Sequence, residues 1–279
     1  MKGKGFIIFA DGDDYVRQAY LAALSIIVSG NEFPVSIVTS NAVTNEYAWI
    51  FDKIIQIPWY KKAESTLSVE NRWKIFHSTP YYETIVLDSD VLVLENLNYF
   101  WNFLQNYDLY FPTKAFTYRK ELITSDFYRK SFTANNLPNF YNCVHYFKKE
   151  QLAQEFWEWA EIITNNWELF YGHFCSEYYP KEPSMDVTTA IAAKILDIDT
   201  KISNQNQTIP EIVHMKPMVQ GWKDQVQYWQ SKVGVYLNPD LQLKIGNHRQ
   251  DSVFHYTENS FCSQSMIDKF EKHARKLCT

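Results

Sequence analysis

Residues 84–94 read Thr-Ile-Val-Leu-Asp-Ser-Asp-Val-Leu-Val-Leu, the most apolar stretch of the chain, with two carboxylates at its centre. A continuous apolar run of this kind is how a strand buried on both faces of a parallel sheet reads. Asp88 and Asp90 lie two apart, so along a strand both side chains point to the same side of the sheet. Placing two carboxylates among Ile85, Val86, Leu87, Val91, Leu92 and Val93 is costly unless a cation compensates. A hard divalent ion is the natural partner, and oxygen ligands suit Mg²⁺ or Mn²⁺. Such ions keep open positions that substrate phosphates can fill. The plainer reading is a polar turn after a strand, since an isolated Asp-x-Asp is common.

The surrounding pattern supports the strand. Residues 5–10 form a short apolar run that ends in Asp11-Gly12-Asp13-Asp14. A helical pattern follows, with Val16, Ala19, Ala23, Leu24 and Ile27 on one face and Ser29-Gly30 at its end. Residues 33–39 and 53–57 read as strands, 70–79 as a helix closed by Pro80, and 84–94 as the next strand. This alternation predicts an α/β fold with a mixed, mostly parallel sheet flanked by helices. The second half is more elaborate. Residues 113–139 are polar and aromatic with weak periodicity, as in a lid or an acceptor loop. Residues 140–148 read as a strand, 150–171 as a Trp-rich helix, 185–196 as another helix, and 209–215 and 251–256 as later strands. No internal repeat or low-complexity linker divides the 279 residues, which predicts one domain.

Charge and composition exclude several classes. With 27 Lys+Arg against 32 Asp+Glu, and no basic cluster longer than a pair, no nucleic-acid partner is expected. No apolar run approaches the ~20 residues that span a bilayer. The apolar segment near the N-terminus is too short for a signal peptide. Cys143, Cys175, Cys262 and Cys278 show no Cys-x-x-Cys pairing, so neither zinc nor a disulfide framework is signalled. A cytoplasmic protein is the expectation. Aromatic residues make up 17% of the chain. That surplus suits sugar or base stacking, a homo-oligomer interface, or simply a core rich in Tyr and Phe.

Open α/β sheets bind ligands beyond the carboxyl ends of their strands. Residues 10–15 and 88–90 should therefore share one crevice. Ala10, Asp11, Asp13 and Asp14 would offer backbone and carboxylate groups to ribose hydroxyls or a base edge, Tyr15 would stack on a base, and a metal would hold a diphosphate. That set suits a nucleotide-diphosphate donor and needs no glycine-rich phosphate loop.

Phe-Ala-Asp-Gly-Asp-Asp-Tyr (9–15), then a helix, then RWKIFHSTPYYETIVLDSDVLVLENL (72–97) together resemble the nucleotide-binding half of GT-A glycosyltransferases. The likeness is to the glycogenin and bacterial lipooligosaccharide galactosyltransferase group, the retaining family 8 enzymes. The resemblance covers roughly residues 5–100 and implies a single GT-A domain, with residues 1–110 as the nucleotide-sugar half and 111–279 as the acceptor half. It places Tyr15 on uracil, Arg72 at the donor, Asp88 and Asp90 on the metal, and Ser89 near the ribose. Downstream, Tyr141-Asn142-Cys143 resembles the family's Asn-(Ala/Ser)-Gly strand motif, with Val144 in place of the Gly. Asp186 resembles the Asp of the family's Asp-Gln helix start, without the Gln. The third metal ligand of the family is a His after a strand with Lys-Pro-Trp eight residues on. His214, with Gly221-Trp222 at that spacing, is favoured; His255 in Phe-His-Tyr-Thr is the fallback.

The implied chemistry is metal-assisted transfer of a sugar from a UDP-sugar to the hydroxyl of a glycan or other acceptor. Arg72 and Lys216 would add positive charge near the phosphates, and Asn142 and Asp186 would face the sugar. The resemblance implies retention, although Asp186 could instead be the base of an inverting reaction. The rivals are weaker. A sugar-1-phosphate nucleotidyltransferase would need a Gly-rich basic loop after the first strand. A glycoside hydrolase would need two carboxylates about 5–10 Å apart across a cleft. A carbohydrate- or nucleotide-binding module would use the aromatics and need no metal for turnover.

Overall fold

The computed structural model of the chain describes residues 2–62, 69–123, 129–207, 209–215 and 229–278. Its first strands are β1 (Lys2–Phe9), β2 (Val35–Thr39), β3 (Lys53–Gln56) and β4 (Tyr81–Asp88). Next come β5 (Val91–Val93), β6 (Leu109–Tyr110) and β7 (Val144–Lys148). Six of these seven make one sheet in the order β3-β2-β1-β4-β7-β6. β1, β2, β3 and β4 run parallel, whereas β7 is antiparallel to both β4 and β6. The mixed, mostly parallel sheet read from the sequence is present.

Side-chain alternation divides the strands between two cores. Phe6, Ile8, Ile85 and Leu87 face one layer; Ile7, Phe9 and Val86 face the other. The first layer is helix α1 (Asp13–Val28) and, over it, the helix Gln264–Leu277, which contributes Met266, Ile267, Phe270 and Ala274. The second layer is built from the helices Gln151–Asn165 and Met185–Leu196. Two covered faces explain why these strands read as unbroken apolar runs. Gly5 lies where β1 crosses Tyr81 of β4: a Cβ there would meet the tyrosine ring at 2.4 Å, so only glycine lets the two strands pair. No described helix is long and apolar enough to cross a membrane.

The structure departs from the sequence expectation at three elements. The run 84–94 is two strands. β4 ends at Asp88, whose N–H donates to the carbonyl of Cys143 just before β7, and β5 continues in a separate sheet ordered β5-β12-β8. There β8 is Ile212–His214 and β12 is Val253–His255; between them in the chain β9 (Val235–Leu237), β10 (Leu243–Ile245) and β11 (His248–Gln250) make a small third sheet. The two carboxylates therefore sit where the chain changes sheets, away from the apolar faces on either side. Residues 70–79 form two short helices, Val69–Arg72 and Ile75–Ser78, because Asn71 and Lys74 turn inward to hydrogen-bond one another. Residues 150–171 break at Asn166, whose non-helical backbone (φ −133°, ψ 36°) separates Gln151–Asn165 from Trp167–Phe174; asparagine readily trades helix for local side-chain bonds. Within 113–139, Phe116 bridges to Val213 and residues 130–134 form a short helix, while 124–128 lie outside the described residues.

Candidate active site

A cavity of about 930 Å³ opens beyond the carboxyl ends of β1 and β4. Phe9 at the end of β1, Tyr15 in the first turn of α1 and the 88–90 turn form one wall. Tyr141, Asn142 and Cys143, which lead into β7, form the floor, and Asp186 and His255 also line the cavity.

Among the described residues, Asp88, Asp90 and His255 form a group whose potential ligand atoms all lie within 4.8 Å of one another. His255 Nε2 lies 3.0 Å from Asp90 Oδ2. Burial opposes charge on both groups, yet the pair overrides it: the Asp90 carboxylate pushes the His255 imidazole up to about 10, and Asp90 is held below the usual carboxylate range. Arg72 is brought to the same place by the short helix Val69–Arg72 and pairs with Asp88.

The order of the two histidines is the reverse of that favoured from spacing. β12 lies between β5 and β8, with His255 opposite Val91 and His214 opposite His255. The strand next to β5 delivers its histidine beside Asp90, whereas β8 is one strand spacing farther away. The His214 ring stacks on His255, with centroids 4.6 Å apart and planes at 26°, and meets Tyr141 edge-on. His214 thus stands behind His255 and lines the cavity.

Asn142 and Asp186, distant in sequence, are joined. The Asn142 backbone N–H and its Nδ2 both donate to Asp186 Oδ1, at 3.1 and 2.9 Å. Asp186 opens the helix Met185–Leu196, whose N-cap Ser184 accepts from the Val187 N–H. The residue that pattern reading missed is Arg129. Only 3% of its side chain is exposed; it pairs with Asp186, donates to Asn139 Oδ1 at 2.7 Å, and lies between the rings of Phe132 and Tyr141. Burial would raise the Asp186 pKa, but Arg129 and the Asn142 amides hold it below the ordinary carboxylate range. No motif marks Arg129; an arginine in a weakly periodic, aromatic segment reads as surface. Beneath the floor, His145 Nδ1 lies 3.0 Å from the Asn142 carbonyl, and burial lowers its pKa to about 3, so it is neutral and donates.

The acidic loop is divided. Asp11 lines the cavity and accepts from Ser40 and from Asn71 Nδ2. Ala10 is buried in the core, and Asp13 and Asp14 are exposed, Asp13 bonding Asn41 Nδ2. Asn41 also accepts from the Gly12 N–H, which fixes the turn into α1. Ser89 is buried at the cavity wall and donates to Gln18 Oε1. Lys216, like Gly221-Trp222, lies outside the described residues.

No family model matches the chain, and no curated protein does. Solved structures do. One is the galactosyltransferase LgtC in complex with donor and acceptor sugar analogues: 15% identity, 99% of this chain and 96% of that one, TM-score 0.55. This is the GT-A glycosyltransferase fold. The same GT-A architecture aligns with mouse xyloside xylosyltransferase 1 at 10% identity, over 91% of this chain and 98% of that one, TM-score 0.51. It also aligns with the bifunctional glycosyltransferase WbbM at 12% identity and TM-score 0.53, over 98% of this chain and 49% of that longer one. At these identities the likeness is one of fold, and the chemistry has to be argued from the cavity.

Proposed function

We propose that this chain is a metal-dependent glycosyltransferase that moves a sugar from a UDP-sugar to an acceptor hydroxyl with retention. The observation that carries the reading is the grouping of Asp88, Asp90 and His255 in a cavity that Asp186 and Asn142 also line. Two carboxylates and an imidazole make a mixed oxygen–nitrogen donor set that fits Mn²⁺, and Mg²⁺ less well. When bound, such an ion supplies Lewis-acid stabilisation of a departing diphosphate. Asp88, Asp90 and His255 would hold it, and Arg72 would set a second positive charge on the diphosphate side.

The remaining residues take the donor and the acceptor. Tyr15 offers a ring to the base, and Asp11 a carboxylate to its edge. Asn142 and Asp186 face the transferred sugar. A carboxylate held ionised by Arg129 and two amide donors is a weak base, which favours Asp186 as an orienting and charge-stabilising group over a base for inversion. The structural neighbour LgtC, described with both donor and acceptor sugar analogues, supports a two-substrate cavity; here Arg129, Ser131, Phe132 and Pro180 line the side left for the acceptor.

The test is a thermal-shift screen of UDP, GDP, CDP and ADP with and without Mn²⁺, followed by assay of nucleotide release from the matching sugar donors. A metal-dependent shift with UDP and transfer from a UDP-sugar are expected. Absence of any nucleotide-dependent shift would overturn the reading in favour of a glycan-binding module.

A further inference from the structure

Gln18 is a polar side chain on the buried face of α1, only 1% exposed, with no part in the chemistry above. Its two ends reach two different walls of the cavity. Ser89 Oγ donates to Gln18 Oε1 at 3.2 Å, and Gln18 Nε2 donates to Asn259 Oδ1 at 2.8 Å. Ser89 belongs to the carboxylate turn and Asn259 to the loop after β12, and both line the cavity. The three residues are separated by 71 and 241 positions in the chain, so the bridge is purely tertiary.

A glutamine amide has one accepting and one donating end. Its two neighbours are therefore forced into opposite polarity. Ser89 spends its proton on Gln18 and keeps oxygen lone pairs for a ligand; Asn259 spends its carbonyl and keeps its NH₂ group. Were both amides turned over, the roles would exchange, but one acceptor and one donor would still remain. A diphosphate, which only accepts, satisfies one of these positions and not the other. A pair of adjacent hydroxyls satisfies both, because each hydroxyl can donate or accept.

We propose that Gln18 is a positioning residue that sets Ser89 and Asn259 to read a vicinal diol on the bound ligand. Resting on the nucleotide-sugar reading above, this assigns the diol to the ribose of the nucleotide or to the transferred sugar. Gln18 acts through its two partners, and its loss leaves both free to rotate and to bond water instead.

The experiment measures binding of UDP, 2′-deoxy-UDP and 3′-deoxy-UDP by calorimetry with Mn²⁺ present, for the wild type and for Gln18→Met, which keeps length and apolar contact without either hydrogen bond. The wild type should prefer UDP over the deoxy forms, and Gln18→Met should reduce that preference by about threefold to tenfold, the worth of one to two net hydrogen bonds. Mn²⁺ affinity should be unchanged. If deoxy discrimination is absent in the wild type but binding of a UDP-sugar falls in Gln18→Met relative to UDP, the diol is that of the transferred sugar. Equal ratios in wild type and variant for both comparisons would overturn the role of Gln18 while leaving the transferase reading standing. Failure of the wild type to bind any of these nucleotides overturns both. Should Gln18→Met not fold, Asn259→Ala, at an exposed position, must show the same loss of discrimination.

Discussion

Arg129 is a cation with almost no access to water, held by Asp186, by Asn139 and by the faces of Phe132 and Tyr141. Removing one partner of such a pair leaves the other uncompensated. Arg129→Met should cost about 3 kcal/mol, the low end for a buried pair because Asp186 keeps about a third of its side chain exposed. Urea unfolding measures the loss, and a cost under 1 kcal/mol would mean that the pair holds little. A second contrast belongs to the two histidines. His255→Gln should raise the Mn²⁺ concentration needed for nucleotide binding more than tenfold. His214→Phe, which keeps a ring against His255, should change it far less. Equal effects, or a larger one at His214, would return the ligand role to His214. The residue types at the carboxylate turn were readable because two acids inside an apolar run have few alternatives. The choice between His214 and His255 was not, since both end short strands and only strand order separates them.

At the scale of elements, the floor of the cavity depends on β7 and on the helix Met185–Leu196. The Ser184 cap satisfies the Val187 N–H in the turn that carries Asp186. Ser184→Ala should cost about 1 kcal/mol in thermal unfolding and lower turnover by loosening Asp186. His145 gives the same floor a pH dependence. Its native pKa is about 3, against about 6.5 when unfolded. Between those values the unfolded chain binds a proton that the native state refuses. This contribution is therefore complete above pH 6.5 and lost as pH falls, by up to about 1.4 kcal/mol per pH unit. Stability measured at pH 7, 6 and 5 should fall less steeply in His145→Phe than in the wild type; parallel slopes would exclude His145 as the source. Element type was legible wherever one layer covers each strand face, as in β1, β2 and β4. It failed at residues 70–79, where the buried Asn71–Lys74 contact interrupts the helix. It failed also at Asn166, an exposed residue whose side chain donates to the Ile162 carbonyl. At both places periodicity alone continues the helix.

For the molecule as a whole, the site is assembled from both ends of the chain. α1 supplies Tyr15 and Gln18, and the strand that carries His255 is followed, after one short turn at Asn259–Phe261, by the helix that packs on α1. Deleting residues 263–279 would uncover Met266, Ile267, Phe270 and Ala274 together with the α1 surface beneath them. At about 1.5–3 kcal/mol for each large apolar side chain, that loss rivals the 5–15 kcal/mol total of an ordinary domain. The truncated chain should show no cooperative thermal transition; a sharp melt near that of the full chain would mean that this helix is dispensable. The apolar runs and helical periodicity, read locally, were enough to determine an α/β sheet with helices on both faces, and the acidic turn after β4 marked one wall of the candidate cavity. Which histidine stands beside Asp90, that Arg129 locks Asp186, and that Gln18 joins Ser89 to Asn259 were decided only by tertiary structure. The physical reason is range: periodicity reports which face of an element is buried, whereas these contacts depend on which elements become neighbours.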